Sequence, residues 1–227
     1  MRKAIVSGAN GFVGSAVVKE LISQGYEVYA LVRENHYDQV PINEMVRIVP
    51  FSLENIEALG EVIPINEYEA FYHFAWNGSA GVDRADTALQ LKNAQWTVEC
   101  LQMAKRLGCK RFVPAGSIME HETIAAVYTQ GNRPGAGYIY GSGKVAAHMM
   151  CMSMAVKEGI NLVWPKITNA YGPSERSPRL VNSTIRKCIA GEDPQFTAGT
   201  QNYDFVYIDD VARAFRLIGE KGKPFHH

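Results

Sequence analysis

Lys3-Ala4-Ile5-Val6-Ser7-Gly8-Ala9-Asn10-Gly11-Phe12-Val13-Gly14 carries a short apolar run straight into three glycines spaced GxxGxxG. Behind them Val13, Val17, Val18, Leu21 and Ile22 recur at the spacing of one helix face, and Gly25 stands where such a helix would stop. Strand, glycine loop and helix in that order make a cradle for phosphate. The glycines permit a tight turn and close backbone approach, while the helix amino terminus offers unpaired N–H groups and the positive end of its dipole. In this context the loop implies a dinucleotide held by Gly8, Asn10, Gly11, Phe12, Val13 and Gly14. Without a strand and a helix around it, the same spacing would be an ordinary glycine-rich turn.

Working outward, apolar runs at residues 3–7, 27–32, 47–51, 70–75, 111–115 and 161–167 read as strands. Between most of them lie amphipathic stretches, those around 86–107 and 140–157 having the length of crossover helices. This alternation predicts βαβ units and a doubly wound parallel sheet, the Rossmann type of α/β fold. After Ile167 the rhythm changes: Pro173, Pro178 and Pro194 punctuate short helices and loops, with one further helix at 209–219. The expected organisation is a dinucleotide-binding domain over residues 1–167. A partial, interleaved substrate-binding subdomain covers 168–227, in a chain that reads as ending early.

Lys and Arg total 23 and Asp and Glu total 23, so no net field draws nucleic acid or an anionic membrane, and the expected partner is a small molecule. Cys100, Cys109, Cys151 and Cys188 show no CxxC pairing and lie in apolar stretches, which reads as reduced thiols in a core, with no metal site. No stretch has the composition of a signal peptide or membrane span, which predicts a cytoplasmic protein.

In such folds the ribose is read at the end of the second strand, where an acidic side chain favours NAD and a basic one pairs with the 2′-phosphate of NADP. Here the strand ends Leu31-Val32-Arg33-Glu34, and Arg33 favours NADP because a guanidinium grips phosphate bidentately. NAD stays open if Arg33 is solvated and Glu34 turns to the ribose. Further along, Tyr140-Gly141-Ser142-Gly143-Lys144 sets a phenol and an ammonium one helical turn apart on one face. A phenol ionising near about 10 is a poor acid–base group until a cation favours its phenolate, and Lys144 is the expected source of that charge. Ser117, just past the 111–115 strand, is placed to hydrogen-bond the same substrate oxygen. Alone, a YxxxK spacing is common and is usually a surface pair.

Together these residues resemble the extended short-chain dehydrogenase/reductase family, also called NAD-dependent epimerase/dehydratases. Its glycine motif matches Gly8–Gly14, and its catalytic Ser/Thr, Tyr and Lys match Ser117, Tyr140 and Lys144. The segment His73-Phe74-Ala75-Trp76 is similar to H-x-A-A, with Trp76 for the second alanine. Lys166-Ile167-Thr168-Asn169-Ala170-Tyr171-Gly172-Pro173 resembles R-x-x-N-x-Y-G-P. Tyr203-Asp204-Phe205-Val206-Tyr207-Ile208-Asp209-Asp210-Val211-Ala212 resembles R-D-F-V-H-V-D-D-V-A. The resemblance implies further cofactor contacts from Ser52, Leu53, Phe74, Ala75 and Trp76, and substrate contacts from Ser117, Asn169, Arg176 and Tyr203. It also implies a homodimer, built on the 86–107 and 140–157 helices. The methionines Met149, Met150, Met152 and Met154 fit that interface or simple core filling.

The departures from the pattern narrow the chemistry. Members that remove water carry an acidic pair after the Ser/Thr, as in S-T-D-E-V-Y-G; here Ile118 and Met119 occupy those places, and Glu120 and Glu122 are out of register. An epimerase or a ketoreductase acting on a nucleotide-linked sugar is therefore expected, with Tyr140 as acid and base. Tyr203 replaces the arginine that commonly meets the diphosphate, so Arg176, Arg179, Arg186 and Lys187 are candidate replacements. A reductase of a non-nucleotide carbonyl, or an NADP sensor without turnover, are the alternatives. Ser52 stands where an aspartate usually meets the adenine. His73 reads as a core residue, since Tyr140 already fills the acid–base role, and His36 and His148 have no partner visible in sequence.

Overall fold

The computed structural model describes residues 1–175 and 177–225. In chain order these form β1 (Arg2–Ser7), α1 (Phe12–Ser23), β2 (Tyr26–Val32), β3 (Val46–Pro50), α2 (Leu59–Val62), β4 (Ala70–His73), α3 (Thr87–Arg106) and β5 (Arg111–Pro114). There follow β6 (Gly116–Ser117), α4 (Met119–Tyr128), α5 (Ile139–Glu158), β7 (Asn161–Leu162), β8 (Lys166–Ile167), β9 (Asn169–Tyr171), α6 (Leu180–Ile189), β10 (Phe205–Tyr207) and α7 (Ile208–Lys221). Six strands make one parallel sheet in the order β3-β2-β1-β4-β5-β7. The chain winds outward from β1 to β3 and returns to β4 on the other side of β1. A crevice opens at the carboxyl ends of β1 and β4, where the winding reverses.

Alternation along the strands sends side chains into two cores. Ala4, Val6, Val28, Ala30 and Tyr72 face α1 and α7, where they meet Val17, Val18, Leu21 and Phe215. Ile5, Leu31, Phe71 and Phe112 face α3 and α5, where they meet Trp96, Cys100, Leu101, Ala147 and Cys151. Every residue of β2 is buried, as a strand covered on both faces requires. Helix α7 lies beyond residue 167 in sequence, yet it packs on α1. Arg216 joins the two helices, its Nε 2.7 Å from Glu20 Oε1 and its Nη1 2.9 Å from Glu220 Oε2.

The strand expectations agree with the observed bounds to within two residues at each end, with one exception. Residues 161–167 are not one strand. Asn161–Leu162 pair with β5 in the main sheet, whereas Lys166–Ile167 pair with β6 in a separate two-stranded ribbon. Pro165, without an N–H, cannot extend the ladder, and its carbonyl accepts the amide of Gly116 at 2.8 Å. Trp164 folds beneath that break and is 1% exposed. Three cysteines are buried as expected, but Cys188 on α6 is exposed. Met152 and Met154 pack against the core while Met149 and Met150 stay open to solvent, so the methionine cluster divides between two environments. Among the described residues, no helix is long and apolar enough to cross a membrane.

Helix α7 approaches β4 closely through Gly219, where a Cβ would collide with the hydroxyl of Tyr72. That hydroxyl is buried. Gly219→Ala is expected to destabilise the fold by about 1–3 kcal/mol through overpacking, read as a lower melting temperature; an unchanged melting curve would contradict this packing.

Candidate functional site

The turn out of β1 is set by Gly8, at φ +66°, a backbone conformation that side-chain-bearing residues rarely adopt. A Cβ there would lie 2.8 Å from the amide nitrogen of Ala75, just past β4, and a Cβ on Gly14 would strike the carbonyl of Gly8. Gly11 N–H donates to Gly8 O at 2.9 Å and caps α1 without any side-chain hydrogen bond. The first amides of α1, those of Phe12, Val13 and Gly14, precede the first bond of the helical ladder, from Ser15 N–H to Gly11 O. These three residues line a cleft of about 400 Å³. The side-chain amide of Asn10 donates to His36 O at 2.8 Å, tying the loop to the segment after β2 that carries Arg33. His36 thus has a backbone link that sequence did not show.

Around the same cleft stand Arg33, Ser52, Leu53, Phe74, Ala75, Trp76, Ser117, Tyr140 and Lys144, so all the expected cofactor and catalytic residues line one cavity. Arg33 is exposed at its rim. Ser52 Oγ accepts the amide of Glu54 as the cap of a short 3-10 turn. Asn169 and Tyr203 line an adjoining hollow of about 650 Å³, which shares Ser117 and Tyr140 with the cleft. Tyr203 stacks there on Phe205, ring centres 5.6 Å apart. Arg176 lies outside the described residues. Of the other basic residues considered, Arg179 lines both spaces, while Arg186 donates to Glu175 O at 2.9 Å.

His73 is fully enclosed, with Nδ1 2.8 Å from Ser7 Oγ, and burial together with the nearby Lys144 pushes its pKa down to about 3. It is a neutral core imidazole at physiological pH. Lys144 reaches the cleft from α5. Its Nζ donates to Ala115 O at 2.9 Å and lies 3.6 Å from the centre of the Trp76 indole, against 5.8 Å from the Tyr140 ring. Burial lowers its pKa to about 7, with Glu120 pulling weakly the other way. The cation nearer Tyr140 is Arg84, its guanidinium carbon 4.1 Å from the ring centre. Burial raises the Tyr140 pKa, and Arg84 and the Ser117 hydroxyl oppose that rise. Lys144, the expected source of the neighbouring charge, is held by a carbonyl and an indole, and Arg84 from another segment lies closer to the Tyr140 ring.

Sequence reasoning also missed the partner of His148. Glu120, 1% exposed, turns inward beneath Ser117. Its Oε1 accepts from Ser117 N–H at 2.8 Å and from Trp164 Nε1–H at 3.0 Å, and its Oε2 lies 2.9 Å from His148 Nδ1. His148 stacks flat on Trp164 at 4.5 Å. Ile118, Met119 and Glu122 line the hollow beside Tyr140. Two apolar side chains therefore stand where water-eliminating members of the resembled family have their acidic pair. The spacing Ser117-x-x-Glu120 is that of a capping box and is the local signal for the contact with Ser117, whereas Trp164 and His148 come from distant segments that no spacing announces.

A parallel sheet with this winding and a glycine cradle at its switch point defines a Rossmann-type dinucleotide-binding protein. The model of the NAD dependent epimerase/dehydratase family matches residues 4–227, and the chain belongs to that family. Among its relatives, UDP-glucuronic acid decarboxylase 1 of Xenopus tropicalis is 26% identical over 221 residues, covering 92% of this chain and 52% of that protein. CDP-abequose synthase of Salmonella muenchen is 26% identical over 235 residues, covering 97% of this chain and 71% of that protein. The chain thus spans about half the length of the first of these relatives. The solved UDP-N-acetylglucosamine 4-epimerase from Methanobrevibacter ruminantium shares the fold with a TM-score of 0.81 at 20% identity, over 99% of this chain and 75% of its own.

The Glu120 cluster has a measurable signature. Its hydrogen bonds outweigh burial and hold the Glu120 carboxyl below the ordinary carboxylate range. A depressed folded-state pKa contributes stability that is fully present above the unfolded value and lost as pH falls through the folded one. Glu120→Ala is expected to cost about 3 kcal/mol at neutral pH by leaving buried donors unpaired. Glu120→Gln should flatten part of the acid limb of the stability profile. Denaturant titrations across pH 3–7 with wild-type acid dependence in Glu120→Gln would refute the assignment.

Proposed function

We propose that the chain uses a nicotinamide dinucleotide to interconvert a secondary alcohol and a ketone on a nucleotide-linked sugar, without eliminating water. The observation that supports this most directly is that Ser117, Tyr140 and Lys144 converge on the cleft whose other end is the glycine cradle. The cradle suits a pyrophosphate: Gly8 and Gly14 leave space that a Cβ would fill, and the free amides of α1 face it. Gly8, Gly11, Phe12, Val13 and Gly14 would hold the dinucleotide phosphates, Ser52 and Leu53 the adenine end, and Phe74, Ala75 and Trp76 the wall toward the nicotinamide. When bound, that ring supplies or accepts the hydride.

The chain's own residues handle the proton and the geometry. Tyr140 exchanges a proton with the substrate oxygen at its hydroxyl, and Ser117 hydrogen-bonds the same oxygen. Lys144, its pKa lowered by burial, lies beside Trp76 on the cofactor side of the phenol. Ile118 and Met119 stand in the places of the acid–base pair that removes water in the dehydratases of the family. The nucleotide-sugar reading draws on relatives named for UDP-, dTDP- and CDP-linked sugars, and on the adjoining hollow with Asn169, Arg179 and Tyr203. Arg33 at the rim supports NADP over NAD, and with it a reductase that exchanges its cofactor over an epimerase that retains it. The outward Met149 and Met150, with Leu91, 59% exposed on α3, support a homodimer across α3 and α5.

Turnover with UDP-, dTDP-, CDP- and GDP-linked sugars and their 4-keto forms tests the substrate class, and silence across the panel would overturn it. Tyr140→Phe is expected to lower kcat by about 10²–10⁴-fold while sparing cofactor affinity. Tighter binding of NADPH than NADH, reversed or abolished by Arg33→Ala, is expected; equal affinities in the wild type would remove Arg33 from the site.

A further inference from the structure

Arg84 sits on a short turn, Val82–Ala85, between β4 and α3. Its guanidinium lies over the Tyr140 ring with its carbon 4.1 Å from the centre, and its Nη1 donates to Ser79 O at 2.9 Å. The turn is itself pinned from below by Gln90 of α3, a side chain only 1% exposed. Gln90 Nε2 donates to Gly78 O at 3.1 Å and to Asp83 O at 3.0 Å, while Gln90 Oε1 accepts from Trp76 Nε1–H at 2.8 Å. One buried amide therefore sets both walls around Tyr140: the indole on which Lys144 rests and the turn that carries Arg84.

We propose that Arg84 is a positioning residue for Tyr140, its stacked guanidinium providing the permanent positive charge that favours the phenolate during proton transfer. The division of labour follows from chemistry. A guanidinium stays charged at any physiological pH and tolerates stacking on an aromatic face, whereas a desolvated ammonium loses its proton readily. Lys144 is the desolvated one, enclosed between Ala115 O and the indole. Other charged groups act on the phenol from the surrounding elements. Arg179, ahead of α6, reinforces Arg84, and Glu120 of α4 opposes both. Arg84 is the one held over the ring by a fixed turn. Arg84 also lines the hollow that contains Asn169 and Arg179.

This inference rests on Tyr140 as the acid–base group, but its test needs no substrate. In protein labelled at tyrosine Cζ, the Tyr140 resonance is assigned among the eleven tyrosines by its loss in Tyr140→Phe. Its ionisation is then followed by NMR against pH. Arg84→Met is expected to move the midpoint upward by on the order of one pH unit, and by more than Lys144→Gln does. Arg84→Gln, which keeps a donor for Ser79, should move it in the same direction and provides the reading if the Met variant fails to fold. An unchanged midpoint in either foldable Arg84 variant, or a larger shift from Lys144→Gln, would overturn the proposal. A shifted midpoint alongside silence on the sugar panel would uphold Arg84 and reject the substrate reading. Turnover by the wild type with no shift would do the reverse. In the alcohol-oxidising direction, where Tyr140 accepts the proton, kcat of Arg84→Gln at neutral pH should fall about tenfold with cofactor affinity unchanged, and recover as pH rises.

Discussion

The backbone of Gly8 runs against the backbone just past β4 so closely that a Cβ would lie 2.8 Å from Ala75 N and 2.9 Å from Phe74 C. The organisation of the site depends on this contact. It forces β1 to turn at once into α1, so the helix begins where β1 and β4 part, with its free amides directed along the crevice. Gly14 completes the turn by letting the first helical residues cross the carbonyl of Gly8. With this geometry in place, the strand ends that follow β4 and β5 deliver Trp76 and Ser117 to the same opening.

The apolar cores hold the sheet, but the side chains that line the cleft are aimed by a small set of buried polar groups. Gln90 and Asn93 on α3 grip the segment from Trp76 to Asp83. Asn93 accepts the amide of Asn77 at 2.9 Å and donates to its carbonyl at 2.7 Å. Glu120 on α4 grips Ser117 from beneath. Buried hydrogen bonds of this kind are strong when satisfied and costly when broken, so they fix the loops more sharply than apolar contact could. The crevice is thereby bounded by segments that have no regular structure of their own but cannot drift. Gly116 lies so close to Trp164 and Glu120 that any side chain there would displace them.

Local patterns made much of this architecture legible. The period of Val13, Val17, Val18 and Leu21, the glycine spacing and the alternating apolar runs depend on neighbours within a turn or a strand, so strands and crossover helices could be placed to within two residues. Pro165 was the exception. Its effect on residues 161–167 needed the knowledge that Gly116 lies opposite, a pairing between segments far apart in the chain. The cavity residues were legible as a set because Ser117, Tyr140 and Lys144 each sit at a fixed distance from a strand end or a helix start.

What sequence could not convey is who faces whom across segments. No motif singles out Arg84, and in sequence Glu120 is a carboxylate out of register and His148 an imidazole with no evident partner. Each acquires its role from packing: Arg84 over Tyr140, and Glu120 among Ser117, Trp164 and His148. The sequence by itself determined the Rossmann-type sheet, the cradle and the identity of the serine, tyrosine and lysine, because those follow from short-range periodicity and turn chemistry. Which cation lies over the Tyr140 ring, and which distant groups hold Glu120, emerges only in three dimensions, because electrostatic partnership depends on distance and burial in space.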